Sequence, residues 1–231
     1  IKSTLWGISP GSPSQVFGVI DKANNSIEEI SVINENLGWP LGDQAVDSDP
    51  IGGDIYTWQA SRGILKINKI TGNHSFVNTS VQYPADFQIT GFDTQTNRLI
   101  LHEPSANKLH YFDPATEEYS ILDDAFASGI TSWQAGGRSA FDKKKRVVYM
   151  MSRGTTVTKI HSLDLDTNQE SDITLDRDPQ QIAVSSKTGK LYGLVGLGGG
   201  ASTENHLFEI NPSTGETTQI TSSSLGQSAA H

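Results

Sequence analysis

The chain has no cysteine, which excludes a disulfide framework, a thiolate metal site and a thiol nucleophile and leaves stability to packing alone. It has no apolar run near the ~20 residues that span a bilayer as a helix, so no membrane insertion is expected. Lys and Arg number 17 against 26 Asp and Glu, a net charge of −9. That shortage of positive charge works against phosphate backbones and anionic lipid, and no nucleic-acid partner is expected. Aromatics are only 8% of the 231 residues, so the places where they gather carry information. What the chain does have is 22 glycines and 9 prolines on a 35% hydrophobic background, a turn-rich composition too apolar for disorder.

The turns repeat. Val16 to Asn25, Ile64 to Gly72, Leu109 to Glu117, Ile160 to Asn168 and Leu207 to Gly215 each run from an apolar strand into an Asp/Asn-headed turn. Asp21, Asn68, Asp113, Asp164 and Asn211 head these turns at separations of 47, 45, 51 and 47 residues. Asx side chains suit the position because they bond the backbone two residues on, and Gly72, Gly215, Asn25 and Asn168 tolerate positive φ. Upstream of each turn lies a β-branched or aromatic run that reads as a second strand: Thr4 to Ile8, Asp54 to Trp58, Arg98 to His102, Arg146 to Met150 and Lys190 to Leu194.

A period near 45 built from short strands points to a β-propeller, since each blade leaves a face that only its neighbour covers. The expectation is a single all-β domain over 1–231, a five-bladed β-propeller of four-stranded antiparallel blades. The blades fall roughly at 1–33 plus 227–231, 34–81, 82–123, 124–175 and 176–226. Small residues Ala45, Gly91, Ala140, Ala183 and Ala230 recur at one place and mark the innermost strands, where blades converge. The chain begins on a second strand, so Gln227 to His231 is expected to pair with Thr4 to Ile8 and close the ring, removing two exposed edges.

The Asn-Pro-Ser-Thr-Gly turn at Asn211 to Gly215, with its weaker copy at Asp113 to Thr116, resembles the repeat hairpin of YVTN/quinoprotein-like propellers. The resemblance to the β-propeller superfamily covers essentially the whole chain and implies a fold, not a site. The Trp-Asp dipeptide of WD repeats is missing, so that family's partner rules do not transfer.

Segments leading into the inner strands carry Trp39, Tyr83 and Trp133. Such aromatics stack on sugar rings, insert into a protein partner, or plug gaps between blades. Asp43, Ile89, Arg138, Gln181 and Ser228 share one column near the channel mouth, where convergent polar groups hold a small ligand or ordered water. Asp43, Asp86 and Asp178 invite comparison with the acid/base pair of five-bladed glycosidases. They lie at different depths in the repeat register, which favours solvated charges or turn caps.

The pairs Asp47/Asp49, Asp164/Asp166 and Asp176/Asp178 lack the glycine and terminal glutamate of an EF-hand loop. His110, His161 and His206 sit on third strands of different blades, too far apart to share zinc, and are expected to be satisfied surface imidazoles. Gly193 to Gly200 precedes no helix N-terminus and reads as a mobile loop between second and third strands. No metal and no cofactor is expected.

These features favour a non-catalytic recognition or assembly module that binds a protein or glycan through one propeller face, as part of a larger extracellular or cell-surface protein. The alternative is a glycosidase-like or lactonase-like hydrolase working through channel-mouth carboxylates. Sequons at Asn24, Asn73 and Asn78 permit N-glycosylation in a eukaryotic secretory pathway.

Overall fold

In a computed structural model of the chain, residues 6–9, 15–21, 26–33, 41–47, 53–59, 63–77, 87–103, 106, 108–123, 139–153, 158–185, 187–197 and 204–221 are described. Every regular element among them is a strand. The first sheet joins β1 (Trp6–Ser9), β2 (Gln15–Asp21) and β3 (Ser26–Ile33). The second joins β4 (Leu41–Asp47), β5 (Asp54–Gln59), β6 (Gly63–Asn68) and β7 (His74–Val77). The third holds β8 (Gln88–Asp93), β9 (Arg98–Glu103), β10 (Lys108–Asp113) and β11 (Glu118–Asp123). The fourth holds β12 (Ser139–Asp142), β13 (Val147–Arg153), β14 (Thr158–Asp164) and β15 (Gln169–Thr174). The fifth holds β16 (Gln181–Val184), β17 (Leu191–Leu197), β18 (Glu204–Ile210) and β19 (Thr217–Gln219). All pairings are antiparallel meanders.

Four sheets thus have four strands and one has three, where five four-stranded blades were expected. The strand assigned to complete the first sheet, Gln227 to His231, lies outside the described residues, and so does Ala230. The first strands of the other sheets meet: β4 packs on β8, β8 on β12 and β12 on β16. This is the inner edge of a propeller arrangement, and Ala45, Gly91, Ala140 and Ala183 all lie on it. Crowding there is measurable at Gly91, where an added Cβ would come within 2.5 Å of Phe141 Cβ.

The core lies between sheets. Successive strand residues point to opposite faces, and Leu99, Ile100 and Leu101 of β9 are all fully buried, so both faces of the third sheet are covered. Leu99 and Leu101 join Tyr56, Trp58 and Ile64 of the second sheet, while Ile100 joins Val148, Met150 and Leu163 of the fourth. Tyr149, Met151 and Ile160 of the fourth meet Leu191 and Ile210 of the fifth. Tyr56 stacks on Phe92 at 6.0 Å and Trp58 meets Phe87 edge-on at 5.6 Å, both across the second and third sheets. Each fully buried residue of this size contributes about 1.5–3 kcal/mol.

The outer turns are built alike. Asn68 Oδ1 accepts from the amides of Ile70 and Thr71, Asp113 Oδ1 from Ala115 and Thr116, and Asp164 Oδ1 from Asp166 and Thr167 at 2.9 Å each. Asn211 Oδ1 accepts from Ser213. The fifth residue of each turn, Gly72, Glu117, Asn168 and Gly215, has φ between 54° and 79°. Asp164→Ala removes both of these bonds and is expected to destabilise the protein, read as a lower denaturant midpoint at unchanged m-value. A variant as stable as the native chain would show that the backbone alone sets the turn.

A second series of turns, between first and second strands, is not anticipated from the sequence pattern. Asp93 to Asn97, Asp142 to Arg146 and Ser185 to Gly189 follow the same plan, with Asn97, Arg146 and Gly189 at φ 57°, 53° and 70°. Arg146 therefore closes a turn instead of opening a strand, and β13 begins at Val147. The expected loop at Gly193 to Gly200 is also corrected. Gly193 to Leu197 belong to β17, and a Cβ at Gly193 would press on Ile210 at 2.9 Å and Pro179 at 3.0 Å. Glycine there serves close packing inside a strand.

Candidate functional site

The strand order is the same in the second to fifth sheets, and the turns that follow β8, β12 and β16 adjoin one another, as Asp93 and Arg146 show below. The inner strands therefore run in one sense. Their starts share one end of the molecule and the hairpin turns share the other.

Of the residues singled out on the strand-start end, Trp39, Tyr83, Trp133, Arg138 and Asp86 lie outside the described residues. Asp43, expected in the loop before the inner strand, lies within β4, beside a shift of register between Leu41 and Ala45. Extra residues at the bulge let the strand begin earlier than the loop chemistry suggests. Gln181 opens β16 and is exposed, whereas Ile89 of the same column is buried. Asp178 is half-buried and accepts from Thr158 Oγ1 at 2.9 Å, a bond that ties the segment before β16 to the start of β14. Of the sequon residues, Asn73 is exposed just after an outer turn, and Asn24 and Asn78 lie outside the described residues.

The histidines differ from expectation by being inside. His161 and His206 are 4% and 6% exposed and His102 is fully buried. His161 lies opposite Asp172 in the ladder; its Nδ1 is 2.5 Å from Asp172 Oδ1 and its Nε2 2.9 Å from Ser152 Oγ. This is the connectivity of a nucleophile, a base and an orienting carboxylate. Burial decides its meaning: with Ser152 at 6%, packing closes the approach that a substrate carbonyl needs to reach Oγ. The chain is a cross-strand polar ladder that satisfies a buried imidazole. His110 repeats it one blade earlier, its Nε2 2.9 Å from Glu103 Oε2, and His206 Nδ1 is 3.1 Å from Gln219 Nε2. Among the described residues no group of three or more His, Asp or Glu side chains is gathered to hold a metal ion.

Burial, with His110 close by, pushes the His102 imidazole down to about 3. Burial also lowers His161, against the opposing pull of Asp172. An imidazole whose folded pKa is depressed gives stability that is complete above its unfolded value of ~6.5 and is lost as pH falls toward the folded value. The window for His102 runs from ~6.5 to about 3. The unfolding free energy is therefore expected to fall between pH 6.5 and 4.5, by roughly 1 kcal/mol per pH unit for His102. His102→Leu should flatten that slope, and an equally steep slope in the variant would assign the effect elsewhere.

The hairpin-turn end carries a buried ion pair. The Asp93 side chain is 2% exposed and that of Arg146 13%. Arg146 Nη2 donates to Asp93 Oδ2 at 2.8 Å across the third and fourth sheets, and its Nη1 donates to Asp166. Thr96 Oγ1 and Tyr111 Oη also donate to Asp93 Oδ2, at 2.9 and 3.2 Å. Burial opposes the Asp93 charge, but the bonds from Arg146, Thr96 and Gln95 outweigh it and hold the carboxyl below its usual range. Nothing in the sequence pattern pairs these groups, which stand 53 residues apart.

Neither a protein-family model nor a curated protein matches the sequence. Solved structures do. A chain in the crystal structure of a nidogen/laminin complex superposes with a TM-score of 0.62 at 10% identity, over 92% of this chain and 75% of that one. TolB from Acinetobacter baumannii gives 0.63 at 11% identity, over 96% of this chain and 52% of its own. A GH74 enzyme from Niastella koreensis gives 0.56 at 11%, over 94% and 36%. The chain thus spans about half the length of the TolB chain and about a third of the GH74 chain. At these identities the likeness is one of fold: an all-β protein of antiparallel sheets in a propeller arrangement. Such a scaffold hosts binding proteins and enzymes alike.

Proposed function

We propose that the chain is a recognition or assembly module that binds a protein partner through the strand-start end of a five-bladed ring, closed by Gln227 to His231 against β1. The supporting observation is the common sense of the inner strands. Sequence segments bearing Trp39, Tyr83 and Trp133 all run into that end, and large aromatics are the residue type that anchors protein interfaces. The fold likeness to a chain of a nidogen/laminin complex, itself an assembly of proteins, points the same way. Extracellular or cell-surface placement, with glycans at Asn24, Asn73 and Asn78, belongs to this reading and is tested by a glycosidase-sensitive shift after secretion from eukaryotic cells.

The test is to screen the native chain against purified extracellular proteins and a glycan array, then measure Trp39→Ala, Tyr83→Ala and Trp133→Ala against each hit. The expected outcome is a protein hit weakened roughly thirtyfold or more by at least one substitution at unchanged unfolding midpoint. Lower stability with intact affinity would make these residues inter-blade packing and sink the reading. Turnover of a glycoside or lactone, abolished by Asp43→Asn or Asp178→Asn, would replace it with the hydrolase. Ring closure has its own test: deleting 227–231 should lower the melting temperature or drive oligomerisation through the edge of β1, and an unchanged monomer would refute it.

A further inference from the structure

The turns headed by Asp93, Asp142 and Ser185 share one backbone plan but differ in what fills their middle positions. In the third sheet these are Thr94, Gln95 and Thr96; in the fourth they are Lys143, Lys144 and Lys145; in the fifth, Lys187 takes the place of Gln95 and Lys144. The turn forms without lysine, so local geometry does not account for the cations. The fold then sets them side by side. β12 packs on β16, and Lys144 Nζ donates to the carbonyl oxygen of Lys187 at 2.7 Å. That bond draws one ammonium onto the turn that carries another, against their repulsion. Lys190, just beyond, is matched by Glu209 at 2.8 Å. Lys144 and Lys187 are both exposed, and among the described residues no carboxylate pairs with either. Lys145 reaches only the buried Asp142, at 3.9 Å, from a side chain that is 59% exposed. In a chain with 26 acidic residues, a cluster of cations left so poorly neutralised marks a surface suited to negative charge from outside.

Lys145 also lines a cleft of about 350 Å³ between the fourth and fifth sheets, together with Ser162, Asp164, Gln169, Glu170 and Ser213 among others. That is within the roughly 300–1,000 Å³ range of small-ligand sites. Ser162 stands at the position that Tyr111 holds one sheet earlier, and the smaller side chain leaves room. The lining offers donors and acceptors together: the hydroxyls of Ser162 and Ser213, the amide of Gln169 and the carboxylates of Asp164 and Glu170. Ser162 Oγ and Ser171 Oγ bond each other at 2.7 Å, which leaves lone pairs on both. An inorganic anion, or the carboxylates of an acidic peptide, would meet Asp164 and Glu170 with like charge. Ring hydroxyls of a sugar both give and accept hydrogen bonds, and they match such a lining.

We propose that the cleft and the lysine cluster together bind an anionic saccharide. A neutral sugar ring sits in the cleft, and the sulfate or carboxylate groups of that sugar or its neighbour meet Lys144, Lys145 and Lys187. The net charge of −9 does not prevent this. At physiological ionic strength exposed charges more than ~8 Å away are largely screened, so the local cations decide, and a short stretch of ligand is bound where a long polyanion would be repelled. The site is on the hairpin-turn end and does not rest on the binding face proposed above.

The experiment titrates the full chain, at physiological ionic strength, with a heparin-derived sulfated hexasaccharide, hexagalacturonate, maltohexaose and hexaglutamate. Saturable binding of at least one anionic saccharide, roughly tenfold or more tighter than maltohexaose and hexaglutamate, is expected. Preference for the sulfated probe assigns the charge to sulfate, preference for hexagalacturonate to carboxylate, and both support the site. Lys144→Gln with Lys187→Gln should weaken binding roughly tenfold or more. Lys108→Gln with Lys159→Gln makes the same change of charge at the starts of β10 and β14, on the opposite end, and should leave affinity unaltered. Ser213→Trp blocks the cleft from an exposed turn position where the backbone amide, not the side chain, bonds Asn211. It should reduce the saccharide to the affinity of hexaglutamate at an unchanged unfolding midpoint. Absence of saturable binding, equal affinity for maltohexaose or hexaglutamate, an affinity that the patch pair or Ser213→Trp leaves unchanged, or an equal loss in the control pair would overturn the site.

Discussion

Gly215→Ala is expected to destabilise the protein by roughly 2–5 kcal/mol, combining αL strain with an overpacked contact. Gly215 sits at φ +79°, and a Cβ there would lie 1.9 Å from the carbonyl oxygen of Thr174 and 2.9 Å from its carbonyl carbon. The conformation is not the main difficulty, since Glu117 and Asn168 occupy the same turn position at φ 60° and 54° with side chains. The difficulty is backbone against backbone. The fifth sheet's outer turn is pressed onto the end of β15, where Asp176 N donates to Gly215 O at 3.4 Å and Thr217 N to Asp176 Oδ2 at 3.3 Å. No rotamer relieves that overlap. Gly189→Ala is the control: its φ is +70° but its one close contact is Asp142 Oδ2 at 3.5 Å, so it should cost only the ~1 kcal/mol of αL strain. Denaturant unfolding of both variants separates the terms, and equal costs would show that strain, not contact, governs Gly215.

That pair also shows what the sequence makes legible. The Asx turns could be read because their chemistry is local: Asp164 and the amides it caps are two and three residues away. The inner column was legible for a similar reason, since Ala45, Gly91, Ala140 and Ala183 recur at separations of 46, 49 and 43 residues and smallness has one cause. The inner turns headed by Asp93 and Asp142 were hidden because Asn97, Arg146 and Gly189 share no side-chain chemistry, only a backbone angle. Burial of His102 and His161 was hidden because imidazole is polar by composition, and only the third dimension supplies Asp172 and Ser152 as partners.

Arg146→Met is expected to cost about 3–5 kcal/mol, the range for removing one partner of a buried ion pair. Methionine keeps much of the aliphatic stem, so packing changes little and the loss is electrostatic. It strips from Asp93, at 2% side-chain exposure, its one charged donor, leaving Thr96, Tyr111 and the Gln95 amide to hold a carboxylate that burial already opposes. The sign of the pH dependence follows. In the native chain Asp93 titrates below its unfolded value, so its contribution is present above pH ~3.8 and is lost as pH falls through the folded value. Without Arg146 the folded value rises, and the buried group takes up a proton at a pH where the native chain does not. The gap between variant and native chain should therefore be widest near neutrality and narrow as pH drops toward 4. Adding Asp93→Asn to Arg146→Met removes the stranded charge and should recover a substantial part of the loss at pH 7, a coupling that a double-mutant cycle reads directly. A constant gap across pH, or a double variant whose losses simply add, would mean that Arg146 acts through packing and that the pair does not hold the third and fourth sheets together.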